Sequence, residues 1–239
     1  MAIQPWRTAK VIRIIDETPN TKRYVLEIPE LSSFDFVPGQ FITFDLPIDE
    51  KPSRRLRSYS IASWPNGTNV LELVIVLNVE GKGTPWMFKN IVEGSEMTLR
   101  GPQGVFHLPE TIDRDIFFVC TGTGIAPFRA MCNHILNHNI PHQNLYLVFG
   151  TRFKEDLLYH EEMQELEKKL PGFHYIPTLS RQQWEGRTGY VHGIYEELCS
   201  NKQPAYFYLC GWKNMLDETK KRIMEMGYDK KSIHQESYG

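Results

Sequence analysis

Short runs in which apolar and polar residues mostly alternate make up the first part of the chain. They are rich in β-branched and aromatic residues, and glycine, proline and asparagine separate them. A period of two predicts half-buried β-strands, here over residues 11–15, 23–28, 40–46 and 70–77. One short helix is predicted after them, with Thr84 as its N-cap and Pro85 as its first residue. Short strands at this spacing favour an antiparallel barrel or sandwich.

The pattern changes at residue 116. The continuous apolar run 116–120 is typical of a strand that is buried on both faces. Strands are then predicted over 145–149, 174–178 and 206–210, alternating with helices that start at 127 or cover 160–170, 193–199 and 215–226. This βα repeat predicts an α/β doubly wound parallel sheet. We therefore expect two domains, an antiparallel β-barrel over 1–110 and the α/β unit over 111–239.

Composition places the chain among ordinary globular proteins. Its 239 residues are enough for two domains, and 41% of them are hydrophobic and 23% charged. The net charge of -2 argues against nucleic acid as a partner, because proteins that bind it are usually strongly basic. No apolar run reaches membrane-spanning length and the first residues lack the apolar core of a signal peptide, so we expect a cytoplasmic protein.

The four cysteines, at positions 120, 132, 199 and 210, are scattered and form no C-x-x-C pair. We therefore expect reduced thiols and neither a metal site nor an iron–sulfur cluster. His134 and His138 lie four residues apart on a predicted helix. Because no third ligand follows closely, a solvated helix face is the preferred interpretation of this pair.

A glycine-rich segment joins the buried strand 116–120 to the helix that follows it. Thr121, Gly122, Thr123 and Gly124 precede Pro127, which opens the helix. Two glycines let the backbone turn tightly and approach a ligand, and the free N–H groups of a helix start suit a pyrophosphate. The segment departs from the G-x-G-x-x-G fingerprint, because Pro127 stands where the third glycine would be. A tight turn without a ligand is the alternative, and the strand–turn–helix context favours phosphate binding.

A polar segment of the barrel domain contains Arg57, Ser58, Tyr59 and Ser60 in succession. In an extended segment Arg57 and Tyr59 share one face and the two serines share the other. An aromatic face can bind a flat heterocycle, a guanidinium can bind its phosphate, and hydroxyls can bind its edge. Because these residue types are common in ordinary strands, the segment gains weight only together with the motif downstream.

The sequence contains four motifs in succession: Arg57-x-Tyr59-Ser60, Gly101-Pro102-x-Gly104-x-Phe106, Gly122-Thr123-Gly124-Ile125-Ala126-Pro127 and Cys210-Gly211. In this order they resemble the signatures of the ferredoxin–NADP reductase family, and the resemblance covers essentially the whole chain. The resemblance implies an N-terminal barrel that binds FAD and a C-terminal domain that binds a nicotinamide nucleotide. It also implies hydride transfer between NAD(P)H and flavin N5 where the domains meet.

The resemblance implies roles for residues of the barrel domain. Tyr59 resembles the aromatic residue that packs on the isoalloxazine, Arg57 resembles the pyrophosphate ligand, and Ser60 resembles the hydroxyl near flavin N5. Gly83 and Thr84 look like a second phosphate contact, at the start of the predicted short helix. The match is looser there, because the proline that follows Thr84 removes one N–H donor.

The resemblance extends to the second domain and its tail. Cys210, with Gly211 after it, resembles a residue beside the nicotinamide that positions rather than attacks; a buried packing thiol is the alternative. The tail resembles the plant-type branch, in which a residue like Tyr238 covers the flavin and one like Glu236 bonds near Ser60. Gly239 is an addition to that pattern, and a frayed terminus is the alternative for Tyr238. Ser60, Cys210 and Glu236 are thus the candidates around the reacting atoms.

Polar residues after the strand 174–178 bear on the choice of nucleotide. Ser180 and Arg181, followed by Arg187, offer the hydroxyl and guanidinium groups that a 2′-phosphate needs. Ser180 and Arg181 also resemble the NADP-binding pattern of the family. Glu185 argues in the other direction, since NAD sites more often present an acid to the ribose. We expect NADP, with NAD as the alternative.

This sequence contains no ferredoxin-like cysteine cluster, so we expect electrons to leave to a separate partner or to a small molecule. A ferredoxin or flavodoxin-like carrier would accept electrons singly. A basic cluster at residues 54, 55 and 57 would suit an acidic carrier, although flavin phosphate or a solvated loop explains these arginines as well. Two alternatives stay open: an NAD(P)H-dependent reductase of free flavin or another small acceptor, and a non-catalytic flavoprotein subunit of a larger redox complex.

Overall fold

The computed structural model describes residues 4–238. Its first part is a six-stranded antiparallel sheet with the spatial order β4-β3-β6-β1-β2-β5. The strands are β1 (Trp6–Thr18), β2 (Thr21–Glu27), β3 (Phe41–Asp45), β4 (Leu56–Ser60), β5 (Val70–Val76) and β6 (Glu96–Gln103). Helix α1 (Gly83–Asn90) lies between β5 and β6 in the chain.

The antiparallel sheet closes into a barrel. The N–H of Ala62, two residues beyond β4, donates to the carbonyl oxygen of Glu72 on β5 at 2.8 Å, so the two edge strands approach each other. Phe44, Leu71 and Leu99 belong to a single buried apolar cluster of this part of the chain. The antiparallel barrel predicted from the alternating pattern is therefore confirmed.

The second part of the chain is a six-stranded parallel sheet with the order β10-β9-β8-β7-β11-β12. Its strands are β7 (Asp115–Thr121), β8 (Leu145–Thr151), β9 (Phe173–Leu179), β10 (Arg187–Thr188), β11 (Ala205–Trp212) and β12 (Ile233–Tyr238). Its helices are α2 (Ala126–His138), α3 (His160–Lys169), α4 (Val191–Leu198) and α5 (Lys213–Glu225).

Helices cover the parallel sheet on both faces. Phe118 of β7 packs in one cluster with Met131 of α2 and Leu166 of α3. The neighbouring Phe117 belongs to the opposite face, in a cluster with Leu216 of α5 and residues of α4. The doubly wound parallel sheet is thus confirmed. We call the part built on the antiparallel sheet the barrel half and the part built on the parallel sheet the sheet half; the boundary at 110/111 stays a prediction.

The start of α1 differs from the sequence expectation. The helix begins at Gly83 with Lys82 as its N-cap, so the prediction that Thr84 is the N-cap is wrong. The Thr84 hydroxyl instead accepts a hydrogen bond from the N–H of Asn78 at 2.8 Å and faces the Asn78 carbonyl at 3.3 Å. The side chain therefore fastens the helix to the preceding loop, a tertiary contact that the local capping rule does not include.

Strands β4, β6, β10 and β12 were not among the predicted strands, although residues 57–60 of β4 were treated as an extended segment. Strand β6 contains a Gly-Pro pair, which normally argues against a strand. Strand β12 covers the segment expected to be a tail, and it pairs in parallel with β11. Within residues 4–238, the structure contains no helix that is long and apolar enough to cross a membrane.

Candidate active site

The two halves meet at a hydrogen bond between Ser60 and Glu236. Ser60 is the last residue of β4 and is only 4% exposed. Its Oγ donates to Oε1 of Glu236 on β12 at 2.6 Å. In the register of β12 on β11, Glu236 lies opposite Cys210. The three residues expected around the reacting atoms are therefore close together, and their catalytic role stays a prediction.

Burial controls the ionisation of this group of residues. Burial raises the pKa of Glu236, and the hydrogen bond from Ser60 acts in the opposite direction. Burial raises the pKa of the Cys210 thiol well above its usual value, and the Glu236 carboxylate raises it further. Cys210 is thus a protonated thiol and a poor nucleophile, which fits a positioning role.

Tyr238 lies two residues beyond Glu236, at the end of β12. It pairs with Trp212 in the strand register, so it is not the frayed residue considered as the alternative. Its side chain faces Cys210 and Ser60. The hydroxyl is buried, and within residues 4–238 it has no well-formed hydrogen bond. Whether its ring covers a flavin stays a prediction.

Tyr59 and Ser58 lie on β4 just before Ser60. Tyr59 packs against the barrel core, with its ring centroid 5.9 Å from that of Phe44, and burial raises its pKa to about 12. The Ser58 hydroxyl lies 2.9 Å from Oγ1 of Thr43 on β3. Tyr59 is therefore held by the barrel beside Ser60, as an aromatic platform for a ring would need to be.

The barrel half contains a cradle that fits the phosphates of FAD. The side chain of Arg57 crosses the first turn of α1, where a Cβ at Gly83 would lie only 3.0 Å from Arg57 Nε. The guanidinium donates to the carbonyl oxygens of Arg54 at 3.0 Å and Leu56 at 2.7 Å. The Arg57 guanidinium and the N-terminus of α1, which were both predicted to bind phosphate, therefore lie at the same place.

The sheet half contains a second cradle, formed by the segment 121–127. A 3₁₀ turn (Gly122–Ile125) follows β7, and Pro127 lies in the first turn of α2. Gly122 has a φ of +53°, and a Cβ there would face open space. A Cβ at Gly124 would lie 2.3 Å from the Cys210 carbonyl oxygen, so only glycine permits this close approach.

The same cradle leaves one polar atom without a partner. Thr121 Oγ1 is buried and has no hydrogen-bond partner within residues 4–238. It lies beside Gly211, where a Cβ would be 2.7 Å from that oxygen. A buried hydroxyl of this kind calls for a ligand or water. The free N–H groups of the turn, the open space at Gly122 and the Thr121 hydroxyl together fit a nicotinamide nucleotide.

Some of the side chains expected to bind the 2′-phosphate are already bonded to other groups of the protein. Ser180 follows β9 directly and its Oγ donates to the Thr151 carbonyl at 3.2 Å, while Arg181 is exposed. Arg187 is held in a two-pronged ion pair with Glu197 at 2.6 and 2.9 Å, so its guanidinium is already occupied. Glu185, the residue that argued for NAD, pairs with Lys154 at 2.6 Å.

Two features of the site were missed from the sequence. Trp212 is exposed and lies opposite Tyr238, and its position directly after Cys210-Gly211 is a signal that could have identified it. Arg129 of α2 contacts Ala62 and Glu72 of the barrel half. No spacing or motif connects these residues, so the sequence offered no signal for that contact.

The fold and the two cradles define a flavin- and nicotinamide-dependent oxidoreductase. Residues 8–108 match the family described as "Oxidoreductase FAD-binding domain", and residues 118–221 match "Oxidoreductase NAD-binding domain". The two matches follow each other along the chain in the order that the resemblance to the ferredoxin–NADP reductase family implies. The chain is a flavin-dependent NAD(P)H oxidoreductase with FAD and a nicotinamide nucleotide as cofactors.

Named relatives differ in how much of their length the chain covers. Ferredoxin--NADP reductase B of Sorangium cellulosum is 29% identical in an alignment 239 positions long that covers 96% of each chain. A glycine betaine monooxygenase reductase subunit of Pseudomonas aeruginosa is 26% identical over 96% of this chain, but the match spans only 63% of that protein. Among solved structures, the Amycolatopsis cytochrome P450 reductase GcoB superposes with a TM-score of 0.88 at 26% identity, over 99% of this chain and 71% of that one.

Proposed function

We propose that this enzyme takes electrons from NADPH and passes them one at a time to a separate protein carrier, a ferredoxin or a flavodoxin. The names of its relatives support a separate acceptor: one is a ferredoxin–NADP reductase, and others are a monooxygenase reductase subunit and a dioxygenase electron transfer component. The chain spans 60–63% of the latter two, so their partners serve only as support for this proposal.

The Ser60–Glu236 hydrogen bond is the observation that carries the proposal. It connects the end of the barrel strand β4 with the edge strand β12 of the sheet half, at 2.6 Å. Cys210 and the close approach of Gly124 to its carbonyl lie at the same place. A ring held by one half and a ring held by the other would therefore meet beside these side chains.

The residues of this chain supply binding, orientation and electrostatics. When bound, the cofactors supply the redox chemistry, in which hydride passes from nicotinamide to flavin N5 and electrons leave singly. Arg57 and the first turn of α1 hold phosphate oxygens in the barrel half, and the turn 122–127 holds them in the sheet half. Ser60 Oγ keeps its proton directed at the Glu236 carboxylate. Cys210 fills the space beside them as a neutral thiol.

NADPH is the proposed electron donor. Arg181 is exposed at the end of β9 and is free to approach a 2′-phosphate, and the neighbouring Ser180 offers a hydroxyl. Lys154 pairs with Glu185, so this acid is partly neutralised and opposes the phosphate less than the sequence suggests. Arg187 contributes only if it exchanges Glu197 for the phosphate.

The basic cluster at residues 54, 55 and 57 gives less support for an acidic carrier than its composition suggests. Arg55 pairs with Asp45 at 2.7 Å. Arg57 donates to backbone carbonyls. Arg54 is exposed and remains available for a partner.

We also propose a cytoplasmic location, because four free buried cysteines suit a reducing compartment.

Anaerobic spectroscopy of the purified protein tests the proposal. We expect a yellow protein whose flavin absorbance is bleached by NADPH, and reoxidation by ferredoxin or flavodoxin much faster than by free FMN. Faster turnover with free FMN than with either protein would instead identify a reductase of free flavin. A flavin that neither NADPH nor NADH bleaches would identify a non-catalytic flavoprotein.

A further inference from the structure

A second polar contact between the two halves is centred on Arg129 of α2, whose side chain is only 8% exposed. Within the sheet half, its Nε and Nη2 donate to the two carboxylate oxygens of Glu162 at 2.8 and 2.9 Å. Toward the barrel half, its Nη1 donates to the Ala62 carbonyl at 2.9 Å and to Glu72 Oε1 at 3.2 Å. One planar guanidinium thus holds three partners in both halves at once.

Tyr159 completes this contact. It is buried, and its φ of 53° places a non-glycine residue in the left-handed region. The guanidinium carbons of Arg129 and Arg23 lie 4.3 and 5.3 Å from its ring centroid. Its hydroxyl donates to Glu72 Oε1 at 2.8 Å, and its N–H donates to Glu17 Oε1 at 2.7 Å. Tyr159 thus has a strained backbone, two arginines over its ring and a glutamate on each of its polar groups. So many matched groups indicate a specific contact.

We define the Arg129 cluster as six residues, three from the barrel half and three from the sheet half: Glu17, Arg23, Glu72, Arg129, Tyr159 and Glu162. Arg23 joins the barrel members, because its Nε lies 2.9 Å from Glu17 and its Nη1 lies 3.8 Å from Glu72. Every charged member therefore faces at least one group of opposite charge. The cluster requires both halves to be in one relative position.

In the sequence, the contact made by Arg129 is close to both parts of the candidate active site, the Ser60 segment and the turn 122–127. Ala62, which accepts from Arg129, is two residues beyond Ser60. Arg129 itself is two residues beyond Pro127, in the helix whose first turn forms the sheet-half cradle. The bond from Arg129 to Ala62 is consequently a direct connection between the segment that holds Ser60 and the segment proposed to hold the nucleotide.

We propose that the Arg129 cluster sets the distance and angle at which the two halves present their cofactors, and that Arg129 is a positioning residue for hydride transfer. This inference rests on the proposed reaction between the halves. Arg129 acts through Ala62 and Glu72, and it has no contact with the reacting groups in this assignment. The effect is large because a misplacement of about 1 Å can cost roughly 10²-fold in rate.

The test compares Arg129→Met with Arg222→Met. Arg222 is a matched control, because it pairs with Glu196 at 3.0 Å and Glu218 at 2.7 Å entirely inside the sheet half. Reduction of the bound flavin is followed anaerobically over a range of NADPH concentrations, which separates the limiting rate from the apparent Kd. For Arg129→Met we expect the limiting rate to fall about 10²-fold. The apparent Kd and the FAD content should stay within about twofold, because the phosphate cradles are intact.

Two further readouts do not depend on turnover. Addition of NADP⁺ to the oxidised wild type should produce long-wavelength absorbance from a nicotinamide stacked on the flavin, and Arg129→Met should weaken it. Amide hydrogen exchange of the FAD-loaded protein should become faster in peptides that cover 60–63 and 157–162, and should stay unchanged over 122–127. Arg222→Met should resemble the wild type in both measurements.

Three results would overturn the inference: a wild-type limiting rate in Arg129→Met, an equal loss in Arg222→Met, or a loss confined to the apparent Kd. If Arg129→Met does not fold, Arg129→Lys and Tyr159→Phe replace it. Lysine keeps the charge but lacks the planar fork with which Arg129 makes four hydrogen bonds, so its limiting rate should fall, and that of Tyr159→Phe should fall less. Wild-type rates in both would overturn the inference alone, whereas a wild type that NADPH does not reduce would overturn the proposed function and this inference together.

Discussion

Two of the polar contacts that join the halves of the molecule are of opposite construction. At the candidate active site, a single hydrogen bond of 2.6 Å connects Ser60 with Glu236. In the Arg129 cluster, two guanidinium groups, three carboxylates and a phenol hold one another, largely out of water. The contact beside the proposed reacting groups has to leave room for two rings, so it consists of one hydrogen bond. The Arg129 cluster, which has many more polar contacts, can then fix the alignment of the halves.

The energies of the two contacts should differ accordingly. A neutral donor on a carboxylate contributes about 1.5–3 kcal/mol at most. Removal of one partner from a buried ion pair leaves an uncompensated charge and costs about 3–5 kcal/mol. We therefore expect substitutions at Ser60 and Glu236 to change rates more than stability, and substitutions in the Arg129 cluster to change both.

Arg129→Met should produce the largest loss of stability. Glu72 and Glu162 lose a common cation, so the free energy of unfolding measured in urea should fall by about 3–5 kcal/mol. The control Arg222→Met removes two surface ion pairs at an arginine that is 39% exposed, and it should cost much less stability. Equal losses in the two variants would show that the Arg129 cluster is no stronger than a surface ion pair.

Ser60→Ala should have the next largest effect, on rate. Without the hydroxyl, the limiting rate of flavin reduction by NADPH should fall by about 10-fold to 10²-fold, because the group between the two halves is lost. The FAD content should stay unchanged, and the free energy of unfolding should change by about 1 kcal/mol. Ser33→Ala, at a partly exposed serine of the barrel half, is the control. An unchanged rate in Ser60→Ala would remove this residue from the mechanism.

Glu236→Gln should remove a pH dependence. Burial raises the pKa of Glu236 above 4.5, so in the wild type the carboxyl takes up a proton as the pH falls through that raised value. The charge-assisted bond from Ser60 is then lost, and the rate should fall about tenfold on the acid side. Glutamine cannot ionise, so the rate of the variant should be low at all pH values. Its pH–rate profile should lack the fall on the acid side.

The same group predicts the sign of a stability change. Since the folded pKa exceeds the unfolded one, the folded state binds the proton first as the pH falls. The contribution of Glu236 to stability is therefore fully present below the unfolded pKa and is lost as the pH rises through the folded pKa. In Glu236→Gln, the free energy of unfolding measured in urea should lack this dependence on pH. An unchanged pH dependence would contradict the raised pKa of Glu236.

Arg181→Ala should have the smallest effect, and it lies away from both contacts. The ratio of kcat/KM for NADPH to that for NADH should fall about tenfold, because an exposed charge-assisted bond to the 2′-phosphate is lost. The kcat/KM for NADH itself should stay unchanged. Lys168→Ala, at a surface lysine paired with Glu165, is the control. Equal use of both nucleotides by the wild type would contradict the choice of NADPH.

Local physics explains which parts of the structure could be predicted from the sequence. The turn 122–127 needs small residues, an open backbone and a helix start, and all three are visible in the residue types. Cys210 could be placed because the carboxyl ends of parallel strands gather at one edge of a sheet. The role of Glu236 came only from the resemblance, since β12 is a six-residue edge strand without a clear apolar pattern.

The remaining features depend on contacts between distant residues. Thr84 carries the residue type of an N-cap, yet a loop contact with Asn78 takes its hydroxyl. Arg187 has the right chemistry for a phosphate, yet Glu197 holds it. Arg129, Glu72 and Tyr159 are ordinary residues at unremarkable positions. Only the approach of α2 to the barrel joins them, and no pattern within either half encodes that approach.

The complementary charges of the Arg129 cluster have a consequence for recombination. Glu17, Arg23 and Glu72 are inherited with the barrel half, and Arg129, Tyr159 and Glu162 with the sheet half. A chimaera that takes its barrel from a distant relative would oppose Arg129 with whatever residue that relative carries at position 72. Each half can thus be a folding unit without being an exchangeable module, and productive hybrids should be those in which both sets of charges are transplanted together.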